Sequence, residues 1–456
     1  MKRRDILLAA IRNQQTPRAA WVPFVGVHGA KLIHKTATEY LQSADLIVQG
    51  LKRANEIYRP DGLPIAFDLQ IEAEILGCHL HWADEVPPSV TTHPLSSCKI
   101  ADLPAYDAGK GRLPVVLEAL DIMKRDLGDE IALYGLICGP FTLALHLFGN
   151  DIFLDMFDKP EEVKEVVSYC ADIGITTAGY YLDHGADVIA VVDPMTSQIS
   201  PAHFGEFVAP YVNRVFDFVR SRQSLSSIFV CGDVTRNLEV MCQTRADNIS
   251  VDEQINMATL RELCGRTGKS FGGNIKLTAV LLLGDEDDAK MEAVGILDQC
   301  GTKGFVLAPG CDLPYAVPEK NLEAVATMAL DEYRRQVARE TLHCKTSDSF
   351  DDIQLPDYQA RNAVVIDVIT LDSTSCAPCQ YMLEAVQKAA NTTPVRVFIN
   401  EHKIKVRQGI GMMVKLGVKN LPTICIDGEI KFASMIPDQK TLVGAIEAAA
   451  RAKMQG

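Results

Sequence analysis

The chain has 456 residues, 47% of them apolar and 23% charged, values of a globular protein that buries a full core. With 45 Lys and Arg against 59 Asp and Glu, its net charge of -14 argues against a nucleic-acid partner, which would need a basic face. The length exceeds one ordinary domain and accommodates a barrel of about 250–350 residues plus a small module.

The basic start, Met1 to Asp5, runs into the apolar stretch Ile6 to Ile11, which is too short for a signal peptide and lacks a small-residue cleavage site, so a first amphipathic helix is expected. No uninterrupted apolar stretch reaches about 18 residues, which predicts no membrane span. The 13 cysteines are scattered without framework spacing and fit a reducing, cytoplasmic setting better than a disulfide scaffold.

Trp21 to Val27 is the first strand candidate, with His28 at its C-terminal end. Apolar residues at helical spacing predict a helix over Thr36 to Tyr58, stopped by Pro60, and a short strand follows at Pro64 to Phe67. Asp68 and Glu72, four apart, would share a helix face; a solvated face is the commoner explanation of such acids. Residues 84–110 carry four prolines and read as irregular. Helix and strand then alternate. Leu113 to Leu127 is helical, Ile131 to Cys138 a strand, Pro160 to His184 a helix, and Asp187 to Val192 a strand ending at Asp193. A helix follows over Pro201 to Arg222, then the strand ending at Cys231, a helix from Thr235, and the strand Asn248 to Val251 ending at Asp252 and Glu253. After the helix Met257 to Cys264 come Ser270 to Asn274, a helix from Asp285 to Cys300, the strand before Cys311, and a closing helix over Glu319 to Arg339. Such alternation implies a parallel sheet, and its length implies closure into a (β/α)8 TIM barrel.

Two stretches organise this barrel. Ile228 to Val230 is an apolar run that stops at Cys231-Gly232-Asp233, and Gly304 to Ala308 repeats the plan up to Cys311-Asp312. Strand C-termini of a barrel converge on one face, so two thiols delivered this way can meet. Thiolates there make a soft-metal site, usually zinc; the other reading is that each is a small buried hydrophobe. His28, Asp193 and Asp252 also fall at strand C-termini, a shared placement that favours function over packing.

Residues 1–342 are thus assigned to the barrel, and the polar, aperiodic residues 343–361 to a linker. A small α/β domain is expected over 362–456: a strand from Ala363, a helix opened by Cys376-Ala377-Pro378-Cys379, a second strand at Val395 to Ile399, a helix around Val406 to Leu416, a hairpin turning at Asp427-Gly428, and a last helix over Gln439 to Lys453. A thiolate at a helix N-terminus is stabilised by the dipole and unpaired N–H groups, which predicts a lowered pKa for Cys376, with Cys379 in reach to resolve. These residues resemble the thioredoxin fold, and Leu421-Pro422-Thr423 is similar to that family's cis-proline loop. Dithiol exchange is what the resemblance implies.

The barrel resembles the uroporphyrinogen decarboxylase superfamily through Glu72-Ala73-Glu74 with Leu76-Gly77-Cys78, Gly139-Pro140-Phe141-Thr142, Asp193-Pro194 with Ile199-Ser200-Pro201, Val230-Cys231-Gly232 and Pro309-Gly310-Cys311. Within it, the combination is similar to the cobalamin-dependent branch typified by methylcobalamin:coenzyme M methyltransferases. That branch implies zinc on a His-x-Cys motif and a distant cysteine, an acid completing the site. Here Cys231 and Cys311 match the cysteines and Asp252 or Glu253 the acid, while Phe229 stands at the histidine position, which leaves His28 or Asp252 as third ligand or the metal lost. The arginine-rich N-terminal signature of true uroporphyrinogen decarboxylases is absent around Trp21 to His28, which argues against porphyrinogen decarboxylation.

The resemblance implies a zinc-dependent methyltransferase moving a methyl group between a corrinoid, as free cobalamin or on a corrinoid protein, and a small thiol. Cys231, Cys311, Asp193 and Asp252 would be catalytic, Glu72 and Asn274 would bind substrate, and Cys376, Cys379 and Pro422 would serve the redox domain. That domain would keep the thiol substrate or the site cysteines reduced, or present Cys376 as methyl acceptor. Two other readings stay open: a thiol-disulfide oxidoreductase whose barrel docks or senses, with Cys231 and Cys311 as a disulfide, and a decarboxylase of another substrate.

Overall fold

The computed structural model describes residues 1–342, 350–359, 363–374 and 376–455. Among the described residues two compact units form, one from most of residues 1–342, the other from residue 350 onward together with Asn150–Asp158 and Ser197–Ile199.

The first unit is built on an eight-stranded parallel sheet: β1 (Ala20–Trp21), β2 (Gly62–Pro64), β3 (Ala132–Cys138), β4 (Val188–Val192), β5 (Leu225–Val230), β6 (Asn248–Val251), β7 (Ser270–Ile275) and β8 (Phe305–Pro309). Its order is β1-β8-β7-β6-β5-β4-β3-β2, a nearly closed TIM-like barrel. β3 is buried at every position, as expected of a strand covered on both faces. The edges β1 and β2 are tied by a different device. Asp61 donates its backbone N–H to the Trp21 carbonyl at 2.8 Å, and its carboxylate accepts the Trp21 N–H at 2.8 Å. Arg18 pairs with that fully buried carboxylate at 2.6 Å, which meets the requirement that a buried charge be partnered. The first helix, Arg3–Ile11, is buried from Ile6 onward and packs with Ala20, Ala132 and Val188, the opening residues of their strands, so it covers the N-terminal end of the barrel.

Several expected elements are shorter or split. β1 ends at Trp21, and His28 opens a short helix, His28–Leu32. The helix expected over Thr36 to Tyr58 is two, because Ser43 caps Ala44–Tyr58 by accepting from Leu46 N–H, while Thr36 and Glu39 form a capping box on Ala37–Tyr40. Pro210 divides the next expected helix into Pro201–Phe207 and Ala209–Ser221, and Asp331 caps a separate Glu332–Thr341. The short strand expected at Pro64 to Phe67 lies earlier, at Gly62–Pro64.

The second unit has a four-stranded sheet of β9 (Val364–Thr370), β10 (Val397–Lys403), β11 (Thr423–Ile426) and β12 (Glu429–Ala433), in the order β10-β9-β11-β12, with β9 and β10 parallel and the others antiparallel. The β11–β12 turn places Asp427 and Gly428 at positive φ, +48° and +82°, as a two-residue hairpin of the primed type requires. Helices Ala377–Thr392 and Gln439–Gln455 supply Met382, Val386, Leu442 and Ile446 to its core. Of the expected linker, residues 343–349 and 360–361 lie outside the described residues. Residues 350–359 are built into the small domain: Ile353 packs with Met412 and Val418, and Tyr358 donates its hydroxyl to the buried Asp367 at 2.7 Å. Among the described residues no helix is long and apolar enough to cross a membrane.

Candidate functional site

Cys231 directly follows β5, and Cys311 follows β8 after Gly310. Their Cα atoms are 5.9 Å apart and their sulfurs form a disulfide across 80 residues of sequence. Both side chains are partly exposed and pack against the barrel core. Gly232 takes φ +98°, a conformation that favours glycine, and its N–H donates to the Asp252 carboxylate at 2.9 Å. A second oxygen of Asp252 accepts from Gln254 N–H at 3.1 Å. Burial raises both Asp252 and Glu253, the latter to about 8. Glu253 comes close to the second thiol loop: a Cβ on Gly310 would lie 2.5 Å from its backbone nitrogen. The amide of the buried Asn274 donates to the carbonyls of Asp252 and Ile255 at 3.0 and 2.7 Å, bracing the loop that carries both acids.

The other expected site residues are held by contacts of their own. Asp193 is buried and accepts from Phe141 N–H, Thr142 N–H and the Thr142 hydroxyl at 3.2, 2.8 and 2.6 Å, so it anchors the N-terminus of helix Pro140–Phe148; burial pushes it up to about 6. Glu72 is buried, accepts from Cys138 N–H at 3.2 Å, and is pushed up to about 8 by burial. Asp68 and Glu74 instead grip Arg112, which sequence reasoning did not single out. Arg112 also lies 4.8 Å from the Trp82 ring centroid. Its only signal in the sequence is its place after Gly111, at the edge of the irregular stretch.

His28 is fully committed. Its Nε2 is 2.8 Å from the Tyr58 hydroxyl and its Nδ1 3.2 Å from the Tyr315 carbonyl, and burial lowers its pKa to about 4. Phe229, at the expected histidine position, is buried with its ring centroid 4.9 Å from Phe24 and 6.0 Å from Phe67. A protein-held zinc needs three or four converging donors. Among the described residues no three His, Cys, Asp or Glu side chains converge in that way. The residues present therefore do not fit the implied zinc: hydrocarbon fills the third position, His28 has both nitrogens engaged, and the two thiols are bonded to each other.

In the small domain Cys376 caps helix Ala377–Thr392 and is partly exposed, while Cys379 is buried one turn on. The expected lowering of the Cys376 pKa is not what the pair produces. Its hydrogen bond with the Cys379 thiol and desolvation push it up, against the Cys379 N–H and Lys405, which pull it down. The Leu421–Pro422 peptide is cis.

Residues 2–331 match the family described as Uroporphyrinogen decarboxylase (URO-D). The chain belongs to the uroporphyrinogen decarboxylase family. Residues 364–447 match the Thioredoxin domain. The chain is 28% identical to a methylcobamide:CoM methyltransferase, MtbA, of Methanosarcina mazei, over 72% of this chain and 97% of that protein. It is 30% identical to the methylcobamide:CoM methyltransferase MtaA of Methanosarcina barkeri, over 60% of this chain and 80% of that one. Uroporphyrinogen decarboxylase of Prochlorococcus marinus is 25% identical over 62% of the chain and 82% of that enzyme. A solved methyltransferase from Methanosarcina mazei superposes with a TM-score of 0.67 at 26% identity, covering 73% of this chain and 99% of that structure. This uroporphyrinogen decarboxylase family chain thus carries an enzyme barrel similar to methyltransferases, joined to a thioredoxin domain.

Proposed function

We propose that the barrel transfers a methyl group between a corrinoid and a small thiol, the corrinoid arriving as free methylcobalamin or on a corrinoid protein. The observation that carries this is the meeting of Cys231 and Cys311, from strands that are not neighbours, on the strand-end face of a barrel similar to methylcobamide:CoM methyltransferases. With the disulfide reduced, the two thiols would flank an acceptor thiol, and Asp252, held beside Cys231 by the Gly232 N–H, would take the acceptor's proton. The acceptor sulfur's electron pair forms the new S–CH3 bond, and the pair of the broken Co–C bond leaves with the corrinoid. Asn274 would keep the Asp252 loop in place, and Asp193 and Glu72 would hold the packing of Pro140–Phe148 and Cys138 behind it.

The test is anaerobic incubation of reduced protein with methylcobalamin and 2-mercaptoethanesulfonate, with mass-spectrometric detection of the methyl thioether. Product formation that is lost in Cys231→Ser and Cys311→Ser supports the reading, and absence of any thioether with several small thiols contradicts it. Metal analysis of the same reduced samples addresses the zinc version: stoichiometric zinc lost in both variants would restore a metal-activated thiol.

A further inference from the structure

We propose that the Cys231–Cys311 disulfide is a substrate of the chain's own Cys376/Cys379 pair, which makes the small domain a reductase that opens the barrel site. The S–S bond and its accessibility together select the target. Cys78, Cys138, Cys170, Cys242, Cys264 and Cys300 are buried thiols and Cys98 is a partly exposed free thiol with no S–S bond to attack, whereas Cys231 and Cys311 are both disulfide-bonded and partly exposed. The Cys242 and Cys264 sulfurs, 3.7 Å apart, remain separate thiols and sit in the interior. Accessibility also assigns the roles on the other side: partly exposed Cys376 attacks through its ionised fraction, which the Cys379 contact and desolvation keep small, and buried Cys379 resolves.

The exchange balances in two steps. The Cys376 thiolate bonds to one sulfur of the barrel disulfide; the S–S bond breaks, and its electron pair leaves on the other barrel cysteine, which takes up a proton. The Cys379 thiolate then attacks the Cys376 sulfur of the mixed disulfide, freeing the second barrel thiol. Two electrons and two protons have moved to the barrel, and the small domain is left as a Cys376–Cys379 disulfide, to be reduced again by an external dithiol. Exchange within one chain would gain the effective concentration of a tethered attacker, and exchange between copies follows the same chemistry without that gain. The consequence for methyl transfer, a site closed when oxidised and open when reduced, rests on the function proposed above; the exchange itself does not.

The test uses full-length protein oxidised with a small disulfide, then given a limiting dithiol reductant, with each cysteine's state followed by differential alkylation and peptide mass spectrometry. Reduction of Cys231–Cys311 is expected to be at least about tenfold slower in Cys376→Ser than in wild type. Cys379→Ser is expected to accumulate a mixed disulfide joining Cys376 to Cys231 or Cys311. Equal rates with no mixed disulfide overturn the proposal, as does a barrel pair that never oxidises. Because alkylation reads thiols directly, the result stands whether or not methyl transfer is found.

Discussion

The ring of Phe229 packs 4.9 Å from that of Phe24, centroid to centroid, and this contact occupies the place where the family resemblance calls for a metal-binding imidazole. Phe229→Ala is expected to cost about 3–5 kcal/mol of stability by leaving a cavity among Phe24 and Phe67, read from the denaturation midpoint. Phe229→His would bury an imidazole among the same rings, and a loss of about 1–3 kcal/mol without any gain of stoichiometric zinc is the expected result. An undiminished midpoint together with tight zinc would show the position to be a ligand site in waiting.

Arg112 bonds to the fully buried Asp68 and to Glu74. Removing the guanidinium in Arg112→Met strands a buried carboxylate, at about 3–5 kcal/mol. The double variant Arg112→Met with Asp68→Asn should recover a substantial part of that loss. Additive losses in urea unfolding would mean that the two side chains are not coupled.

Glu72 supplies a pH signature. Its folded pKa is raised to about 8 from an ordinary 4.5, so between those values the folded chain holds a proton that the unfolded chain has released. Unfolding then releases that proton, and stability falls as pH rises through this window, at up to about 1.4 kcal/mol per pH unit. Glu72→Gln keeps an oxygen for the Cys138 N–H and removes the titration, so its stability is expected to be flatter from pH 5 to 8, with the largest advantage over wild type near pH 8. Parallel pH profiles for the two proteins would contradict the assignment.

His28 has the opposite sign. Its folded pKa is lowered to about 4, so below its ordinary 6.5 the unfolded chain binds a proton that the buried ring refuses, and stability falls as pH drops toward 4. His28→Gln should lessen that acid-side loss in thermal unfolding scans, and an unchanged slope would count against a neutral His28.

Much of the barrel is legible in the sequence because β3, β4, β8 and the end of β5 are apolar runs, and Cys231 and Cys311 are marked by the turn residues and acids that follow such runs; β7, Ser270–Ile275, carries Ser, two Gly and Asn and has no such pattern. The first two strands are not, since β1 and β2 are two and three residues long and are joined through the Asp61 carboxylate and backbone, a tertiary contact with no local pattern. Helix splits at Ser43, Pro210 and Asp331 carry local capping or proline signals that apolar periodicity alone overrides. At the site, periodicity places His28 at a strand end, but the chain has already turned into a helix that feeds the ring to Tyr58. The direction of the Cys376 shift is likewise set by its neighbour Cys379, a contact that the helix-dipole argument leaves out.

The measurement that tests the central claim most directly is the cobalamin spectrum during a single anaerobic turnover of methylcobalamin with a small thiol, run on protein with the Cys231–Cys311 pair reduced and on the same protein with it oxidised. The account predicts thiol-dependent demethylation by the reduced form alone, with matching methyl thioether. Equal demethylation by both forms, or none by the reduced form, would contradict it.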